Sequence, residues 1–240
     1  MNPANLDPDM LASRSESKVF SINRVFNFVY GWMTMGLLIS GLAAWGIAQA
    51  VITGHFTLSP AIFTICMIAE FILVIALQAA CNKLAPAVMM AMFAVYAILN
   101  GITLSVIFLC YELATIQLTF FVSAGMFAGM ALLGTLLKRR LDGIGSFCVM
   151  ALWGIIIATI VNFFLRSTQL DLLLSYLGVA VFVGLTAWDA QRIRALAEQQ
   201  AYLDNTVVRK LGLLGALTLY LDFVNLFLYL LRLLGKGGRR

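Results

Sequence analysis

The chain has 240 residues, of which 62% are hydrophobic and 11% charged, with a formal net charge of +5. Soluble domains carry about 25% charged residues, and a water-soluble fold of this length could not cover so much apolar surface, so the composition points to a chain dissolved in lipid. The positive balance then reads as loop charge meeting anionic lipid, and no nucleic-acid partner is expected.

Taken in chain order, residues 1–24 carry Asp7, Asp9, Arg14, Glu16, Lys18 and Arg24 with no apolar run. They read as a polar cytoplasmic tail and not as a signal peptide. Seven apolar stretches follow, each near the ~20 residues a helix needs to cross a bilayer. They run over Phe26–Ile52, Pro60–Ala80, Ala85–Cys110, Ile116–Leu137, Ile144–Leu165, Leu172–Trp188 and Leu211–Leu234. The expected fold is all-α: a seven-helix transmembrane domain over residues 25–235, closed by a basic tail at 236–240. Cys66, Cys81, Cys110 and Cys148 show no paired spacing and read as small apolar fillers.

Loop charges set the expected topology, because cytoplasmic loops are enriched in Lys and Arg. Eleven basic residues fall on the N-terminal side (Arg14, Lys18, Arg24, Lys83, Lys138, Arg139, Arg140, Arg192, Arg194, Arg209 and Lys210). Five fall on the other (Arg166, Arg232, Lys236, Arg239 and Arg240). The N-terminus is expected inside and, after seven spans, the C-terminus outside.

Three carboxylates fall within or at the end of apolar segments, where an ionisable group is costly and therefore a functional candidate. Glu70 lies mid-way along the second segment, Asp189 ends the sixth, and Asp222 sits inside the seventh. No basic partner for these acids is apparent. On the seventh segment Gly215, Thr218, Asp222, Asn225 and Tyr229 recur at spacings of 3, 4, 3 and 4, which places them on one helical stripe. Such a stripe faces a polar path or a partner carboxylate; Thr218 and Asn225 alone would equally serve as hydrogen-bonding glue between helices.

Several chemistries are disfavoured. His55 is the lone histidine and sits in a loop, which leaves an intramembrane zinc hydrolase or Ser–His protease without its ligands or base. Every lysine falls in a loop or tail, so no deep Schiff-base lysine exists, and no nucleotide-binding glycine loop is present. Neither enzymatic activity nor a cofactor is expected.

The run Gly215-Ala-Leu-Thr-Leu-Tyr-Leu-Asp222-Phe-Val-Asn225-Leu-Phe-Leu-Tyr-Leu-Leu-Arg232-Leu-Leu-Gly235 closely resembles the last-helix signature of the transmembrane Bax inhibitor motif family. Gly184-Leu-Thr-Ala-Trp-Asp189-Ala-Gln-Arg192 resembles its sixth-helix signature, and Asn100-Gly101-Ile-Thr-Leu-Ser105 its third-helix segment. In length and segment count the likeness covers essentially the whole chain and is to bacterial inner-membrane members. It implies seven helices with the last one central and the other six around it. It also implies a calcium leak gated by pH through two aspartates, which map to Asp189 and Asp222 and would also meet a passing calcium ion. Some members latch this pair with an arginine on the second helix. This sequence departs there, since residues 59–80 contain no basic residue and Glu70 stands in that region.

The leading expectation is a pH-sensitive leak for calcium or another cation, with Asp189 and Asp222 as sensor and gate and Glu70, Asn225 and Thr218 along the ion path. Two close carboxylates would share a proton at low pH and repel each other once it is lost. The alternative is a non-conducting membrane regulator that binds other membrane proteins, such as a quality-control protease. A small-solute transporter is less favoured, because no paired broken helices appear in two halves. Simple helix rise puts Asp189 about 25 Å beyond Leu172, near the cytoplasmic rim, and Asp222 about 18 Å from Lys210. Contact between them therefore requires tilt or a seventh helix that starts earlier.

Overall fold

The computed structural model describes residues 8–81, 83–137, 139–199 and 205–235. Every regular element among them is an α-helix, in the order α1 (Pro8–Ile52), α2 (Pro60–Ala79), α3 (Pro86–Cys110), α4 (Leu113–Leu136), α5 (Asp142–Leu165), α6 (Thr168–Gln199) and α7 (Asn205–Leu234). Each contains a stretch long and apolar enough to cross a membrane, that of α1 being Asn23–Ile52. Many large apolar side chains are left open on the outside, among them Phe121, Phe163 and Phe164. Lipid tolerates such a surface, whereas water would drive it to aggregate.

Local signals explain the boundaries. Ser59 caps α2 by accepting the Ile62 amide at 3.3 Å, and Pro60 occupies the first turn, where its missing N–H costs nothing. Pro86 opens α3 in the same way. α5 ends at Arg166, whose left-handed backbone (φ 52°, ψ 33°) closes the last turn.

The α1 backbone begins at Pro8 and runs unbroken into the first span, which starts at Asn23, since no Gly or Pro interrupts it after Pro8 and before that span. Residues 1–7, like the basic tail expected at 236–240, lie outside the described residues. α6, for its part, does not stop at Trp188. The apolar run ends there, but Ala187 to Gln199 is rich in good helix formers, and Arg194 pairs with Glu198 one turn on at 2.9 Å.

α7 is the centre of the bundle. Ala216, Leu219, Tyr220 and Leu226 are all fully buried. α1, α3, α4 and α6 pack directly on α7, whereas α2 packs chiefly on α3 and α5 on α6. The expected ring of six is thus four inner helices and two outer ones. Glycine allows the closest approaches: a methyl on Gly134 of α4 would strike the Ala187 carbonyl of α6, and one on Gly101 of α3 would strike Ser40 and Ala43 of α1.

Candidate functional site

The extension of α6 places Asp189 ten residues before the helix end at Gln199, about 15 Å inside along the axis. α7 begins at Asn205, earlier than hydropathy indicates. The mutual register is fixed by packing. Ile193 meets Gly215, and Tyr229 lies against Gly178. Between these contacts the carboxyl groups of Asp189 and Asp222 hydrogen-bond each other. A hydrogen bond between two carboxyls requires that one of them carry a proton. Both side chains are buried, Asp189 at 7% and Asp222 at 5% exposure. Asp222 Oδ2 has no protein partner, an arrangement that is costly unless something else approaches it.

Asp222 belongs to the wall of a cavity of about 830 Å³ bounded by α1, α2, α5, α6 and α7. All five residues of the predicted stripe line it: Gly215, Thr218, Asp222, Asn225 and Tyr229. On α7 the lining runs from Val208 to Tyr229, about 31 Å of helix rise, which is close to the ~30 Å thickness of a hydrocarbon core. At its far end Tyr229 stacks on Phe182 with ring centroids 5.8 Å apart. Asn225 donates its amide to the Leu221 carbonyl at 2.8 Å, which holds the side chain along its own helix.

The acids do have a basic neighbour. Arg192, one turn beyond Asp189, acts on its charge, lines the same cavity and lies over the Trp188 ring at 5.5 Å from the centroid. It comes from α6 itself and not from α2. Its i, i+3 spacing from Asp189 was the available signal, hidden by ending the helix at Trp188. Next to it, Gln191 ties α6 to the α4–α5 connection. It accepts the Leu141 amide at 2.7 Å and donates to the carbonyls of Leu137 and Arg139 at 3.1 and 2.9 Å. Arg194 donates to the Thr135 carbonyl.

Glu70 does not line this cavity, to which α2 contributes Gln78 near its C-terminal end. It is half-buried and accepts hydrogen bonds from Asn100 and Thr103 of α3. Among the described residues no three His, Cys, Asp or Glu side chains converge to hold a metal ion.

Fold and site together define a seven-span membrane protein in which a buried aspartate of the central helix, Asp222, is paired with a buried aspartate of α6, Asp189. The family model described as Inhibitor of apoptosis-promoting Bax1 matches residues 22–239. The chain is similar to the Inner membrane protein YbhL of Escherichia coli K12, at 47% identity over 209 residues covering 87% of this chain and 89% of that protein. It is also similar to an uncharacterized protein of Borreliella burgdorferi (39% over 225 residues, 93% and 97% covered) and to YrjE of Lactococcus lactis (36% over 225 residues, 91% and 94% covered). The chain belongs to the Bax inhibitor-1-like family, as its sixth- and seventh-helix motifs indicate.

Proposed function

We propose that this protein is a pH-sensitive leak channel for calcium, or for a cation of similar chemistry, in a bacterial inner membrane, with its N-terminus in the cytoplasm. The observation that carries the reading is the pairing of the buried Asp189 and Asp222 carboxyls at the wall of a cavity whose α7 lining covers about 31 Å of helix rise. With one proton shared, the pair fastens α6 to α7. When that proton leaves, two carboxylates in a poorly solvated site repel, and the helices they join separate. The freed oxygens are the hard ligands calcium prefers. Two carboxylates fall well short of the six to eight oxygens of a storage site, so binding is weak enough for the ion to leave, as conduction requires. Asn225 extends the polar side of the route toward Tyr229, and Thr218 extends it from Asp222 toward the N-terminal end of α7.

The test is calcium entry into liposomes containing the purified full chain, followed with an entrapped dye as external pH is varied. Entry should exceed that into empty liposomes and rise with pH. Entry equal to that of empty liposomes at every pH would sink the leak and favour a non-conducting regulator that binds other membrane proteins.

A further inference from the structure

A second polar assembly lies on the other side of α7, away from the acid pair. It begins at Ser40 on α1, whose hydroxyl is 2.6 Å from the Tyr220 hydroxyl of α7. Tyr220 donates to Asn100 Oδ1 of α3 at 2.9 Å. That contact orients the amide, so the Asn100 NH₂ points to α2 and donates to Glu70 Oε2 at 3.1 Å. Tyr220 has one proton and spends it on Asn100, while the single Ser40 proton faces three acceptors, the Tyr220 hydroxyl and the Gly36 and Ala97 carbonyls at 2.8 and 2.9 Å. Two donors in series, Tyr220 and Asn100, thus end on one carboxyl, and each polarises the next. Four helices are joined by this chain.

The other carboxyl oxygen meets a switchable partner. Thr103 Oγ1 is 3.0 Å from Glu70 Oε1 and 2.9 Å from the Asn100 backbone carbonyl. A threonine hydroxyl has one proton and can donate to only one of them at a time. If Glu70 is ionised, Thr103 donates to Oε1. If Glu70 is protonated, its O–H donates to Thr103, which turns and donates to the carbonyl. Both oxygens are satisfied in either state, with no movement of heavy atoms. Ordinarily one protonation state of a membrane-embedded carboxyl is left with an unmatched group. The side chain is half-buried and lies ten residues into the 20-residue α2, midway along the span.

We propose that Glu70, Thr103 and Asn100 form a second proton-binding site in the membrane, wired through Tyr220 to the helix that carries Asp222. The titratable groups acting on or acted on by Glu70 are Cys66 on α2, Tyr96 on α3 and Tyr220 on α7. Thiols and phenols ordinarily titrate near about 8.5 and 10, so the carboxyl is the group here that binds a proton in acid or neutral medium. Protonation weakens the pull on the Asn100 amide, and Tyr220 registers the change.

Infrared difference spectroscopy of the full chain in lipid nanodiscs, over about pH 4 to 10, tests this. Carboxyl-¹³C glutamate labels only Glu16, Glu70, Glu112 and Glu198, which separates them from the aspartates. A labelled carboxylic-acid band should titrate, vanish in Glu70→Gln and persist when Asp189 and Asp222 are both changed to Asn. Thr103→Val, which removes the rotating hydroxyl, should alter proton affinity about tenfold, and Thr103→Ser should restore it. The Tyr220 phenol band should shift with the same midpoint in the wild type and stay fixed in Glu70→Gln. A Glu70 band that never titrates, or a midpoint untouched by Thr103→Val, overturns the site. If Glu70→Gln does not fold, the labelled wild type and the Thr103 pair still decide it. No step requires conduction, so a failed leak assay and a failed proton site are separate results.

Discussion

Tyr220 and Asp222 stand two residues apart on α7 and face opposite ways, with about 200° of helix between them. Asp222 looks toward α6 and the long cavity, bonded to Asp189. Tyr220 looks toward α1 and α3, fully buried and ringed by Phe93 and Tyr96, with centroids 5.7 Å away in both cases. A single turn of the central helix therefore takes part in two hydrogen-bonded systems that share no side chain.

Orientation is open to direct measurement. With seven spans, reporters fused at residue 240 should read as periplasmic, and reporters at the N-terminus as cytoplasmic. The charge asymmetry of eleven basic residues against five motivates the assignment. Both ends reading on the side opposite to that expected would invert the bundle and reverse the direction in which the cavity meets each compartment.

Gln191 is expected to matter for stability and not for the gate. It makes three hydrogen bonds to the α4–α5 connection at the end of α6. Gln191→Ala should destabilise the protein by about 1–2 kcal/mol, since the freed groups are partly reachable by water. A lowered thermal midpoint with an unchanged flux–pH profile is the expected pair of results. An unchanged midpoint would mean that the connection is held by other contacts.

Arg192 is expected to tune the gate. Its guanidinium is the positive charge beside Asp189, and it favours the state in which the acid pair has given up its proton. In Arg192→Gln the pair should need more alkaline medium before flux rises, while Arg192→Lys should stay close to the wild type. Its stacking on Trp188 predicts a smaller shift of the same sign in Trp188→Leu, because the guanidinium loses the face it rests on. A flux–pH profile unmoved by Arg192→Gln would remove Arg192 from the site.

How much of this could be read in advance follows from what hydropathy encodes. All seven spans were legible because lipid contact demands long apolar runs, and the stripe on α7 was legible because helical spacing is local. The end of α6 was not, since Ala190 to Gln199 stays helical through propensity and an ion pair after its apolarity has gone. That error concealed Arg192 and made the meeting of Asp189 with Asp222 look difficult. Glu70 stood out as a buried acid, but its partners Asn100 and Thr103 lie thirty or more residues away on α3. Which faces of α2 and α3 meet depends on packing, and neither segment reveals it alone.

The acid pair gives the sharpest prediction. Because Asp189 and Asp222 share a hydrogen bond, their protons belong to the pair and should leave in two separated steps. The first loss leaves the shared proton in place and the helices fastened; the second removes it and leaves two like charges facing each other. Flux should therefore be low in acid and rise across the second step. Asp222→Asn puts a neutral amide where the pair needs an ionisable oxygen, and no second charge can form. The same holds for Asp189→Asn, so each single change should flatten the pH profile. The double change should add little to either, since both act on one unit. The check is a double-mutant cycle on the flux ratio between acid and alkaline medium. A coupling near zero, with the two single effects simply adding, would mean that the aspartates titrate independently and that their hydrogen bond is not the gate.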